Sequence, residues 1–115
     1  MNCIIVDDEP LGRKAIQLLI RDTPVLSLYG SFGDAVSAGK FMQASPVDLV
    51  FLDIKLPEIS GTEVLRRMRK MNKTSPVIIM TAYPTIKNAV ECTKLGAVAY
   101  LAKAFHHRSA PFPVG

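Results

Sequence analysis

Four apolar runs in this 115-residue chain each end in residues that could do chemistry. Asp7-Asp8-Glu9 follows Cys3–Val6, Asp53 follows Val47–Leu52, Thr81 follows Val77–Met80, and Lys103 lies just past Ala97–Leu101. If the runs are adjacent strands, their carboxylates, hydroxyl and ammonium converge on one edge of a sheet, where open α/β proteins bind ligands. Clustered carboxylates raise one another's pKa unless a cation sits among them. A hard divalent ion held through oxygen, Mg²⁺ foremost, relieves that repulsion and also favours phosphate oxygens. Lys103 adds a second positive charge, so a transferring phosphoryl group would be neutralised from two sides. Such transfer needs little beyond positioning and charge stabilisation. One carboxylate then acts as nucleophile and becomes an aspartyl-phosphate. Asp53 is the candidate, because it ends the most apolar run, while Asp7 and Asp8 stand paired for the metal.

The elements that must position these groups follow from periodicity. Cys3–Val6, Val47–Leu52 and Val77–Met80 are nearly continuous apolar runs, as in strands buried on both faces. Val25–Leu28 and Ala97–Leu101 complete five predicted strands. Between them, Leu11, Ala15, Leu18 and Leu19 follow helical spacing and predict an apolar helix face. Ala35, Val36, Ala38 and Met42 give a second helix, Val64, Leu65 and Met68 a third, and Ile86, Ala89, Val90 and Thr93 a fourth. This alternation predicts an α/β, doubly wound parallel sheet with helices on both faces.

The length supports one domain with one core. With 49% hydrophobic and 21% charged residues, the composition is globular, and a net charge of +4 permits an acidic partner without demanding one. Cys3 and Cys92 form no metal or disulfide framework, which makes packing their expected role and a reducing, cytoplasmic setting the expectation. No apolar run approaches the roughly 18 residues of a membrane span, and Met1 to Asp8 lacks a basic leader, so no membrane association is expected. Residues 104–115 contain Pro111 and Pro113 and predict no helix. The domain is therefore placed at 1–103, with 104–115 as an atypical tail and the covering fifth helix missing.

The stretches "IIVDDEP", "DLVFLDIKLPEISG" and "VIIMTAYPTIKNAVECTKLGAVAYLAK" resemble the receiver domain of two-component response regulators, of the CheY-like superfamily, over residues 2 to 103. The intervals of 45 residues from Asp8 to Asp53, 28 on to Thr81 and 22 on to Lys103 match that family. The resemblance implies the flavodoxin-like strand order 2-1-3-4-5. It makes Asp53 the phosphoacceptor, and Asp7, Asp8, Asp53 and the backbone carbonyl of Lys55 the Mg²⁺ site. It makes Thr81 the switch hydroxyl, Tyr100 the aromatic that moves with it, and Lys103 the lysine that meets a phosphoryl oxygen. Pro57 and Gly61 fall in the loop after the third strand, where the glycine is expected to permit a turn.

Two departures from the family stand out. Ala104 replaces the proline that follows the lysine, which predicts a trans bond there, because a cis bond before a non-proline costs about 2.5–4 kcal/mol. The missing fifth helix predicts either self-association through the uncovered face or a less stable fold. The implied partner is a sensor histidine kinase or phosphotransfer protein; the effector is not encoded in the motifs. The chain modifies itself and turns over no separate substrate, so it is not expected to be an enzyme.

Other readings fare worse. A haloacid-dehalogenase-type phosphohydrolase wants a carboxylate two residues after its nucleophile, where Lys55 stands. A flavin site would be repelled by Asp7-Asp8-Glu9-Pro10. A receiver-like interaction module that no longer switches, because of its altered C-terminus, is the alternative. His106-His107 lack partner ligands and read as exposed tail residues. Arg66, Arg67, Arg69, Lys70 and Lys73 read as a solvated helix face that suits the helix dipole. With no groove-reading element or stacking platform, nucleic acid is not an expected partner.

Overall fold

The computed structural model describes residues 1–71 and 73–103. The chain alternates β1 (Asn2–Val6), α1 (Pro10–Arg21), β2 (Ser27–Phe32), α2 (Ala35–Ala44), β3 (Leu49–Asp53), α3 (Gly61–Lys70), β4 (Val77–Thr81), α4 (Ile86–Lys94) and β5 (Ala99–Ala102). All pairings are parallel, in the order β2-β1-β3-β4-β5. This is the doubly wound, flavodoxin-like architecture expected from the sequence. The predicted non-helical tail, the missing fifth helix, His106-His107 and the Lys103–Ala104 bond lie outside the described residues.

Strand burial follows position in the sheet. β1, β3 and β4 are central and almost wholly buried, whereas the edge strands β2 and β5 are half-buried or exposed. Because side chains alternate along a strand, the sheet has two distinct faces. Ile4, Val6, Val50, Leu52, Val77 and Ile79 form one core with Leu65, Met68 and Cys92, beneath α2, α3 and α4. Cys3, Ile5, Leu49, Phe51 and Met80 form the other with Ile16 and Ile20 of α1.

The second strand is Ser27–Phe32 rather than Val25–Leu28. Val25 is 67% exposed in the turn after α1, and pairing with β1 skips Tyr29 at a register shift and continues through Gly30, Ser31 and Phe32. An edge strand buries too little for an apolar run to mark its length. The last strand likewise sits at Ala99–Ala102, shifted from Ala97–Leu101.

The packing face of α1 differs more instructively. Leu11, Leu18 and Leu19 are 57%, 42% and 50% exposed, and Ala15 is exposed too. The helix meets the sheet through Gly12, Ile16 and Ile20, a stripe one step round the wheel. Gly12 lets the first turn approach the end of β1 closely, and that contact, not the bulk of the leucines, sets the rotation of the helix.

Candidate functional site

Asp7, Asp53 and Lys103 are brought together where β1, β3 and β5 end. Each is fixed by ladder hydrogen bonds: Asp7 N–H donates to Phe32 O at 2.9 Å, Ile54 N–H to Met80 O at 3.0 Å, and Lys103 N–H to Thr81 O at 2.7 Å. Lys103 Nζ lies 2.9 Å from Asp7 Oδ2, 3.2 Å from Asp53 Oδ2 and 3.4 Å from Glu9 Oε1. Asp7 is fully buried and Asp53 is 3% exposed. Asp8 is exposed at the rim, so the pocket has a buried half and an open half.

Burial raises the Asp53 pKa most, the Asp7 charge adds to it, and Lys103 opposes; the balance pushes it up to about 7. For Lys103, burial works against the charged form, but its bonds and charge interactions with Asp7 and Asp53 outweigh it and raise the pKa. Asp7 Oδ2 is buried against the Lys103 ammonium, 2.9 Å away. One ammonium among three carboxylates leaves negative charge in excess. Oxygens of Asp7, Asp8 and Asp53 lie within 4.8 Å of one another. That excess of negative charge in an all-oxygen donor set fits a hard divalent cation such as Mg²⁺.

The open half forms a cavity of about 550 Å³, lined by Asp8, Asp53, Lys55, Thr81, Tyr83 and Lys103 among others. Thr81 Oγ1 accepts from Tyr83 N–H at 3.0 Å. Lys55 is exposed and places its ammonium 5.9 Å from the centre of the Tyr83 ring. Tyr100 does not line this cavity. Its hydroxyl lies at Thr85, the N-cap of α4, accepting from Thr85 N–H at 3.2 Å, and its ring packs against the core beneath α2–α4.

The loop from β3 into α3 corrects one expectation. Gly61 is not in a positive-φ turn; the positive φ falls at Glu58, at 72°. Gly61 is needed for space, because a Cβ there would lie 2.1 Å from Asp53 O. It lets the start of α3 rest on the backbone of Asp53, with Ser60 capping Glu63 N–H. The basic run is not simply solvated either. Arg66 pairs with Glu63 and Glu91, and Arg67 with Glu63. Arg69 donates to the carbonyls of Leu95, Gly96, Lys73 and Ser75, tying α3 to the end of α4. Burial raises the pKa of both cysteines, as suits packing residues.

Sequence reasoning passed over Gly12, Tyr83 and the side chain of Glu9. Glu9 is the N-cap of α1 but makes no side-chain cap; Pro10 starts the helix instead. A glutamate before a helix-starting proline, beside an aspartate pair, was the available signal.

Fold and pocket together define a parallel α/β domain with an acid cluster at the carboxyl edge of its sheet. The pattern of the family described as "response regulator receiver domain" matches residues 3–110. The transcriptional regulatory protein YpdB of Escherichia coli K12 is 30% identical over 105 residues, covering 91% of this chain and 42% of that protein. The response regulatory domain of MrkE from Klebsiella pneumoniae superposes with a TM-score of 0.81 at 31% identity, covering 92% of this chain and 85% of that one. A putative LuxO repressor receiver domain from Vibrio parahaemolyticus gives 0.82 at 27% identity, covering 91% and 79%. The chain belongs to the response regulator receiver domains of two-component signalling. It spans less than half the length of the curated relatives named here.

Proposed function

We propose that this domain accepts a phosphoryl group on Asp53 from a phosphohistidine of a sensor kinase or phosphotransfer protein, with Mg²⁺ at Asp7, Asp8, Asp53 and the Lys55 carbonyl. The observation that carries the reading is the burial of Asp53 against both Asp7 and Lys103. A bound Mg²⁺ supplies charge neutralisation at the carboxylates and at the phosphoryl oxygens. The ionised Asp53 oxygen forms the new P–O bond as the donor P–N bond breaks, and the imidazole leaves with the bonding electron pair. Lys103 offsets the negative charge carried by the phosphoryl group. Thr81, across the cavity, turns its hydroxyl from Tyr83 N–H toward the new anion, and Tyr100 responds at Thr85.

The domain turns over no separate substrate, and its working place is the cytoplasm; among the described residues no helix is long and apolar enough to cross a membrane. Exposed Leu11, Leu18 and Leu101 favour self-association through the α1 side, which sedimentation over a range of concentrations tests. The main reading is tested by intact mass after incubation with acetyl phosphate. The expected outcome is one added phosphoryl group with Mg²⁺, and none with chelator or in Asp53→Asn. A gain that survives Asp53→Asn overturns the assignment. No gain at all favours the interaction module that no longer switches.

A further inference from the structure

Gly12 is the third residue of α1, a position where glycine costs a helix about 1 kcal/mol relative to alanine. Its backbone does not explain that cost: among the described residues the only glycine with positive φ is Gly96. Space does. A Cβ at position 12 would lie 2.3 Å from Asp7 Oδ2, 3.1 Å from Asp7 Cγ and 3.3 Å from Lys103 Nζ. None of these neighbours is the loose end of a solvent-exposed chain.

Asp7 is fully buried, its Oδ1 accepts Glu9 N–H at 2.9 Å, and its Oδ2 faces Lys103. The Lys103 side chain is 9% exposed and is also held by Glu9 and Asp53. The helix cannot simply lift away, because Arg13 Nη1 donates to Asp7 O at 2.7 Å and pins the first turn to the end of β1. The missing Cβ is therefore the space that the Asp7 carboxylate occupies.

We propose that Gly12 is a positioning residue for the acid pocket. Its hydrogen-only side chain forms the slot that seats Asp7 against Lys103 and sets Asp7 relative to Asp8 and Asp53. A side chain at position 12 unseats Asp7 and weakens divalent-cation binding without touching the cation itself. The cation part of this inference rests on the functional reading above; the slot does not.

A four-member cycle tests it: the native chain, Gly12→Ala, Asp7→Ala and the double variant. Thermal unfolding is read in magnesium-free buffer, and Mg²⁺ affinity by calorimetric titration. With Asp7 present, Gly12→Ala lowers the midpoint by about 5 °C and weakens Mg²⁺ binding about tenfold, as loss of outer-shell support does. In the Asp7→Ala background the carboxylate is gone and only the end of the Lys103 chain, 3.3 Å from a Cβ, remains beside it, so the same substitution raises the midpoint through helix propensity. If Gly12→Ala alone does not fold, the Asp7→Ala pair still decides: the double variant must be the more stable of the two. A midpoint raised by Gly12→Ala with Asp7 present, or an unchanged Mg²⁺ affinity, overturns the proposal. So does a double variant less stable than Asp7→Ala. A native chain that takes no Mg²⁺ sinks the functional reading and the cation part, while the reversal of sign still tests the slot.

Discussion

The two faces of the sheet end differently. On the face that α1 covers, the alternation Cys3, Ile5, Asp7 in β1 and Leu49, Phe51, Asp53 in β3 carries an apolar core straight into two buried acids. In β5 the same parity reaches Lys103. On the face beneath α2–α4, Val77 and Ile79 run into Thr81, and Tyr100 packs toward α4. Charge is concentrated on one face, and neutral hydroxyls on the other. Strand parity therefore separates the groups suited to hold a phosphoryl anion from those suited to report it, while neighbouring strand ends keep them a few residues apart. Charged groups buried in contact are costly to disturb, whereas the half-buried Tyr100 hydroxyl is not, and the acid cluster and Tyr100 should respond to substitution on different scales.

The largest expected effect is on the α1 face. Lys103→Met keeps most of the volume but leaves Asp7 and Asp53 buried without their cation. It should destabilise the magnesium-free domain by about 3–5 kcal/mol in urea titration at neutral pH. Added Mg²⁺ should restore part of that loss.

Next is the pH response of Asp53. Its folded pKa, about 7, stands above the ordinary value near 3.9. The folded state therefore holds the proton more tightly than the unfolded chain. Stability contributed by this group is full below about pH 4 and is lost as the pH rises to about 7. The loss is on the order of 4 kcal/mol in magnesium-free buffer. Asp53→Asn should flatten that decline and be the more stable protein at pH 8. A native decline that persists in Asp53→Asn would place the titration elsewhere.

The smallest effect belongs to the other face. Tyr100→Phe removes the hydroxyl from Thr85 and should cost about 1 kcal/mol, with Mg²⁺ affinity unchanged. An affinity that fell with Tyr100→Phe would break the division between faces.

The same division explains what was legible in the sequence. Asp7, Asp53 and Thr81 stood out because polar residues directly after buried apolar runs are unusual, and β1, β3 and β4 were written as continuous apolar runs; Lys103 stood out only as the charge that follows the short apolar edge run. The edge strand β2 was misplaced because Tyr29, Gly30 and Ser31 need satisfy only one neighbouring strand. The face of α1 was misread because periodicity weighs bulk. Leu11, Leu18 and Leu19 outweigh Gly12 in any hydrophobic pattern, yet Gly12 sets the contact through the side chain it lacks. Gly61 was read as a turn residue for a related reason: a glycine in sequence does not distinguish freedom of φ from need of space, and only the proximity of Asp53 O does.

Backbone amide spectra recorded in two steps test the separation of the faces most directly. Mg²⁺ alone should shift the amides of Asp7, Asp8, Asp53 and Lys55 and leave those of Thr85 and Tyr100 in place. Acetyl phosphate added to the magnesium-loaded domain should then move Thr81, Thr85 and Tyr100. Phosphorylation at Asp53 that leaves those three unmoved, or Mg²⁺ that leaves the acids unmoved, would contradict the account.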